Sequence, residues 1–292
     1  MSKNKLIPFR KKNSPANKGL QGTSKRKNNP YYPYLIKDQR LYKVPDKSGG
    51  DPVYVSGAVQ IVEIRQDVDT KQVSLVIEYD YQGNIAHKEI SRDMLTRAKA
   101  MQLMAYGVDI ADHNVKDVLR FLNIQERTIS ITRTHSQTGF CLEQDKLVFK
   151  HASAIGGNSA YNGDFKLQPT GSLDQWLAII EEQVLGHIPL EFALILGLAA
   201  PVASLVGKMT GLEVLVVHLY GNSSQGKTTG LRLAVSPFGL PNISDGGLIK
   251  TWNCTVNALL GALRNNHGMP LAFDEASMTD ANFSKHVNKW TG

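Results

Sequence analysis

Apolar and polar residues alternate along Val53 to Ile64, Gln72 to Tyr81 and Ile85 to Ile90, the period-two pattern of half-buried strands. Gln82-Gly83-Asn84, between the last two, supplies the residue types of a hairpin turn. The period then lengthens. Asp93 to Tyr106 reads as a helix stopped by Gly107, and Asn114 as the N-cap of a second helix reaching about Leu122. Arg127 to Arg133, Phe140 to Glu143 and Lys146 to Phe149 return to short strands, which together predict an α+β domain without a catalytic constellation of its own. Ser153 to Gly163 is glycine-rich and reads as loop and turn. Ser172-Leu173-Asp174-Gln175 forms a capping box that opens a helix with Trp176, Leu177, Ile180 and Val184 on its apolar side. Phe192 to Gly207 is nearly uncharged and carries Pro201; at sixteen residues it falls short of a bilayer, so it predicts a buried helix kinked near the proline and no membrane span.

Glu213 to Tyr220, E-V-L-V-V-H-L-Y, has the composition of a buried parallel strand. It runs directly into G-N-S-S-Q-G-K-T-T, in which Gly221, Gly226, Lys227 and Thr228 keep the P-loop spacing. The residue types follow from the task of holding phosphate. Gly221 and Gly226 permit torsions closed to other residues, so that the N–H groups of Asn222, Ser223, Ser224, Gln225, Gly226 and Lys227 turn inward on an anion. A helix starting near Lys227 and ending before Pro237 directs its positive end to the same place. The Lys227 ammonium reaches the outer phosphates, and the Thr228 hydroxyl, followed by Thr229, offers a hard oxygen to Mg²⁺.

Met269 to Glu275, M-P-L-A-F-D-E, is an apolar strand ending in two carboxylates. Asp274 fits the Walker B role at Mg²⁺, and Glu275 that of the base orienting the attacking water. The guanine-reading tetrad Asn-Lys-x-Asp is incomplete at Asn288-Lys289-Trp290-Thr291, which favours ATP as the nucleotide.

The P-loop, the segment Thr251 to Leu259 (T-W-N-C-T-V-N-A-L) and L-A-F-D-E together resemble the family called domain of unknown function 927. The likeness extends upstream through Thr138-Gly139-Phe140, Tyr161-Asn162-Gly163 and Gly171 to Trp176, covering roughly residues 53 to 292. It implies a helicase-like ATPase of mobile genetic elements, similar to the hexameric minichromosome-maintenance helicases of the AAA+ class. It further implies Gly221 to Thr229 for ATP, Thr228 and Asp274 for Mg²⁺, and Glu275 for catalysis. Such cores continue past Walker B with a sensor residue, an arginine finger and a helical lid, whereas seventeen residues follow Glu275. The expectation is therefore a C-terminally truncated motor with feeble turnover alone, because an arginine finger contributes on the order of 10³ to 10⁵ in rate.

Charge sharpens the domain reading. Residues 1 to 30 hold nine basic side chains and no acid, and the rest of the chain holds 24 basic against 26 acidic residues. Poor in apolar residues, this polycation cannot fold alone; it either contacts nucleic-acid phosphates or serves as a solvated tail. The aromatic run Tyr31-Tyr32-Pro33-Tyr34 that follows either stacks on bases or anchors the chain to its own domain. Two cysteines, Cys141 and Cys254, are too few for a disulfide framework and imply a reducing cytoplasm. The predicted organisation is a disordered basic tail and linker over 1–50, an α+β accessory domain over 51–168, and over 169–292 an AAA+-like P-loop α/β core of three layers, incomplete at its C-terminus. The expected partners are ATP, Mg²⁺, nucleic acid with DNA ahead of RNA, and further copies in a hexameric ring. A regulatory ATPase switch, or a nucleic-acid-binding or oligomerising module with a vestigial nucleotide site, are the competing functions.

Overall fold

Short antiparallel strands open the first unit of the chain, Met1–Arg133: β1 (Tyr34–Lys37), β2 (Arg40–Lys43) and β3 (Val53–Gly57). The computed structural model describes residues 29–45, 50–211, 215–222, 225–252 and 255–274, so the basic stretch up to residue 28 lies outside the described residues. The expected unstructured linker up to residue 50 is corrected in part, because β1 and β2 form a hairpin inside it. The reason is burial: Tyr31, Tyr34 and Leu41 all enter the core. Tyr31 and Tyr34 pack their rings on Phe121, with centroids 6.0 and 5.7 Å away. Of the two roles open to the aromatic run, anchoring therefore takes these two rings. The Tyr34 hydroxyl donates to Asp117 (2.7 Å), which also accepts from Lys43 Nζ. Burial alone would raise the Asp117 carboxyl, but the Lys43 and Tyr34 hydrogen bonds hold it below the ordinary range.

The alternating stretch becomes an antiparallel meander of β4 (Val59–Asp67), β5 (Val73–Tyr81) and β6 (Asn84–Ser91). Along β5, Leu75, Ile77 and Tyr79 are buried and the residues between them are not. The β5–β6 loop is the two residues Gln82 and Gly83, with φ of 53° and 82°, the left-handed pair whose twist matches the flanking strands. The helix expected over Asp93–Tyr106 is instead a helical turn at Arg92–Leu95, α1 (Arg97–Ala100) and a second turn at Met101–Tyr106. Thr96 breaks it. Its backbone is extended and its hydroxyl bonds the Asp93 carbonyl, a local alternative to the helical ladder. The next helix, α2 (Val115–Glu126), begins after Asn114 as expected, yet the Asn114 side chain turns backwards to the Ala111 N–H and the Val55 carbonyl.

The chain enters its second unit, Thr134–Gly292, within β7 (Ile131–His135), not near residue 168. There follow β8 (Thr138–Glu143), β9 (Lys146–Lys150), β10 (Ala154–Ile155), β11 (Ala160–Tyr161), α3 (Leu173–Gln183), α4 (Ile188–Thr210), α5 (Lys227–Val235), β12 (Ile249–Thr251), α6 (Val256–Leu263), β13 (Asn266–His267) and β14 (Ala272–Asp274). One sheet has the order β10-β9-β8-β13, and β12 pairs with β14 in parallel. The capping box is formed, Ser172 Oγ accepting from the Gln175 N–H. A buried imidazole ties the glycine-rich loop down. His135 Nε2 meets the His151 carbonyl at 2.7 Å and must donate to it, which leaves Nδ1 to accept from the Ser159 hydroxyl at 2.9 Å.

The expected burial of α4 and the expected strand ahead of the loop are both corrected here. The apolar run at α4 is a helix of 23 residues, and it is buried on one side only. Ala193, Leu194 and Gly197 face inward, while Ile188, Phe192, Ile195, Val202, Val206 and Met209 are exposed. Apolar residues surround the whole helix, and the described residues cover one flank of it. By length and composition alone α4 is long enough to cross a membrane. Residues 215–220, expected as the buried strand ahead of the P-loop, form no strand, and Leu215 and Tyr220 are 61% and 89% exposed. A strand needs an edge to take its N–H and C=O groups. Among the described residues this run shares no ladder with β12, β14 or any other strand.

At Gly197 the inner flank of α4 meets the α5 backbone directly, while one turn earlier the Ala193 methyl group faces Gly230. A Cβ on Gly197 would stand 1.9 Å from the Ala234 carbonyl oxygen, so only glycine allows the approach. Alanine raises helix propensity by about 1 kcal/mol over glycine; overpacking costs ~1–3 kcal/mol. Gly197→Ala is therefore expected to lower stability in urea denaturation by up to about 2 kcal/mol, and a gain would reject the close contact.

Candidate nucleotide site

The site is built where the loop after residue 220 turns into α5. Gly226 sits at φ 78°, ψ 13°, the left-handed cap conformation, and its carbonyl accepts the first helical hydrogen bond from the Gly230 N–H at 2.9 Å. The helix thus starts at Lys227, with its free N–H groups and positive dipole end at the loop. Lys227 folds back over the loop: Nζ donates to the carbonyls of Gly221 (2.9 Å) and Asn222 (2.6 Å). Gln225 Oε1 accepts from the Asn222 N–H at 3.1 Å, a contact that the motif spacing gave no sign of. Thr229 is exposed on the first turn of α5. Ser223 and Ser224 lie outside the described residues.

The second half of the site arrives from β14. Phe165, Leu167, Val235, Phe238, Leu248, Ile249, Met269 and Ala272 form one apolar cluster that seats α5 on β12 and β14. At the C-terminal end of β14, Asp274 Oδ2 accepts from the Thr228 hydroxyl at 2.8 Å. These two residues are 46 apart in sequence, and the pairing of a P-loop threonine with a strand-end aspartate was legible from residue types alone. The end of the strand is pinned by the Trp252 N–H, which donates to the Asp274 carbonyl (3.2 Å), and by the Trp252 and Phe273 rings, 5.0 Å apart. Sequence reasoning missed Trp252, whose signal lies only in the register of β12 against β14. Glu275 lies outside the described residues, as does the tetrad at 288–291. A hydroxyl and a carboxylate beside a lysine and a helix N-terminus are the donor set that suits Mg²⁺ and phosphate: hard oxygens for the cation, N–H groups and an ammonium for the anion. The residues present fit both groups.

The sequence profile of the domain of unknown function 927 matches residues 38–287. The chain belongs to that family. This domain of unknown function 927 protein is also similar to a solved active helicase, SCCmec type IV Cch, with a TM-score of 0.65 and 26% identity over 85% of the present chain. The match spans 49% of the helicase chain, about half its length. Comparison with curated proteins yields no match.

Proposed function

We propose that this member of the domain of unknown function 927 family binds ATP with Mg²⁺ through Gly221 to Thr229 and Asp274, and serves a helicase-like motor acting on DNA of a mobile element. The observation that carries the reading is the meeting of Thr228 and Asp274, 46 residues apart, at the open end of the loop that Lys227 crosses. The likeness to an active helicase supports the motor over a switch. In this reading Lys227 and the α5 N-terminus hold the phosphates, Thr228 and Asp274 hold the metal, and Glu275 orients water. Bound Mg²⁺ neutralises charge on the outer phosphates. The AAA+ class, the three-layer core and a ring of copies belong to the same proposal.

Titration calorimetry with ATP tests it. The expected result is a heat of association that depends on Mg²⁺, with Asp274→Asn lowering affinity in Mg²⁺ by about tenfold or more, since a hydrogen bond to a charged group contributes ~1.5–3 kcal/mol. No heat from folded protein would reject the nucleotide reading. Turnover stimulated by DNA separates a motor from a regulatory switch.

A further inference from the structure

We propose that Thr251 is a positioning residue for the Asp274 carboxylate and sets the Mg²⁺ dependence of the site; this rests on the ATP reading above. The register of β12 against β14 is Ile249 with Ala272, Lys250 with Phe273 and Thr251 with Asp274. Side chains two apart on a strand leave the same face, and neighbouring strands lie about 4.8 Å apart. Ile249 and Ala272 are buried and share the apolar cluster with Val235 and Leu231 of α5, so their face is the one beneath that helix. Two residues on, Thr251 and Asp274 leave the same face together. At that level α5 presents Thr228, seven residues before Val235, and Asp274 Oδ2 accepts from its hydroxyl. The carboxylate therefore stands between a threonine on the helix, which it bonds, and a threonine on the adjoining strand.

The chemistry follows from placement. A carboxylate that serves a metal, directly or through a bound water, works only in one rotation about its Cβ–Cγ bond, and a neighbouring hydroxyl fixes that rotation. Removing such an outer partner typically costs 10- to 100-fold in metal affinity or activity. Thr251 does not touch the nucleotide in this assignment; it acts through Asp274.

The test uses a fluorescent ATP analogue bound to the full chain at rising Mg²⁺. Thr251→Val keeps the shape and the β-branch and removes the hydroxyl, whereas Thr251→Ser keeps the hydroxyl. The expected result is an about tenfold or greater rise in the Mg²⁺ concentration for half-maximal binding with valine, near wild-type behaviour with serine, and unchanged melting and unchanged binding in EDTA for both. A valine variant with wild-type Mg²⁺ dependence, or a serine variant as impaired as valine, overturns the assignment while the ATP site stands. Wild-type protein that binds no analogue overturns both.

Discussion

In the proposed function, Lys227→Ala is expected to bind ATP about 10- to 100-fold more weakly than the wild type, with the fold intact. The Nζ contacts with the Gly221 and Asn222 carbonyls show the ammonium lying across the loop, where the phosphates enter in the proposed function. A hydrogen bond to a charged group contributes about 1.5–3 kcal/mol, and 1.4 kcal/mol is tenfold in affinity. Stability moves little and, if anything, upward. Lys227 is the first residue of α5, where a positive charge opposes the helix dipole by ~0.3–1 kcal/mol and alanine has the better propensity. Calorimetry paired with thermal melting separates the two quantities. An alanine variant that binds ATP like the wild type removes Lys227 from the site; one that fails to fold shows that the lysine is structural.

The second large effect is confined to stability. Phe121→Ala is expected to cost ~3–5 kcal/mol, the range for deleting a buried aromatic ring. Phe121 is fully buried, and both Tyr31 and Tyr34 pack on it, so the loss also frees the hairpin that those tyrosines anchor. Domains carry about 5–15 kcal/mol in total, so the loss is a large share of that range. Urea denaturation reads the change, and a loss below about 1 kcal/mol would contradict the packing.

What could be read from residues alone was what short-range chemistry decides. Gln82-Gly83 closes a hairpin because two adjacent residues must take positive φ. Ser172 caps α3 because its hydroxyl reaches Gln175. The P-loop spacing located the start of α5, and the apolar run ending at Asp274 located the strand end that meets Thr228. Not legible were features decided by a distant partner, or by which of several local bonds a polar side chain chooses. Residues 215–220 have every mark of a strand and lack a ladder, since strand propensity cannot supply the neighbouring edge. The bonds of Thr96 back to Asp93 and of Asn114 back to Ala111 turned a helix and a cap away from their simplest forms. The anchoring of β1 and β2 rests on Phe121, some 80 residues away, and no local window contains it.

At Gly197 and Ala234 the backbones of α4 and α5 meet with no side chain between them. Any side chain at position 197 must therefore part α4 from α5, the helix that begins at Lys227. Further along α4, the Ser204 hydroxyl donates to the carbonyl of His267 beside β8. Position 197 is thus where a single added methyl group is expected to disturb the turn that leads into α5.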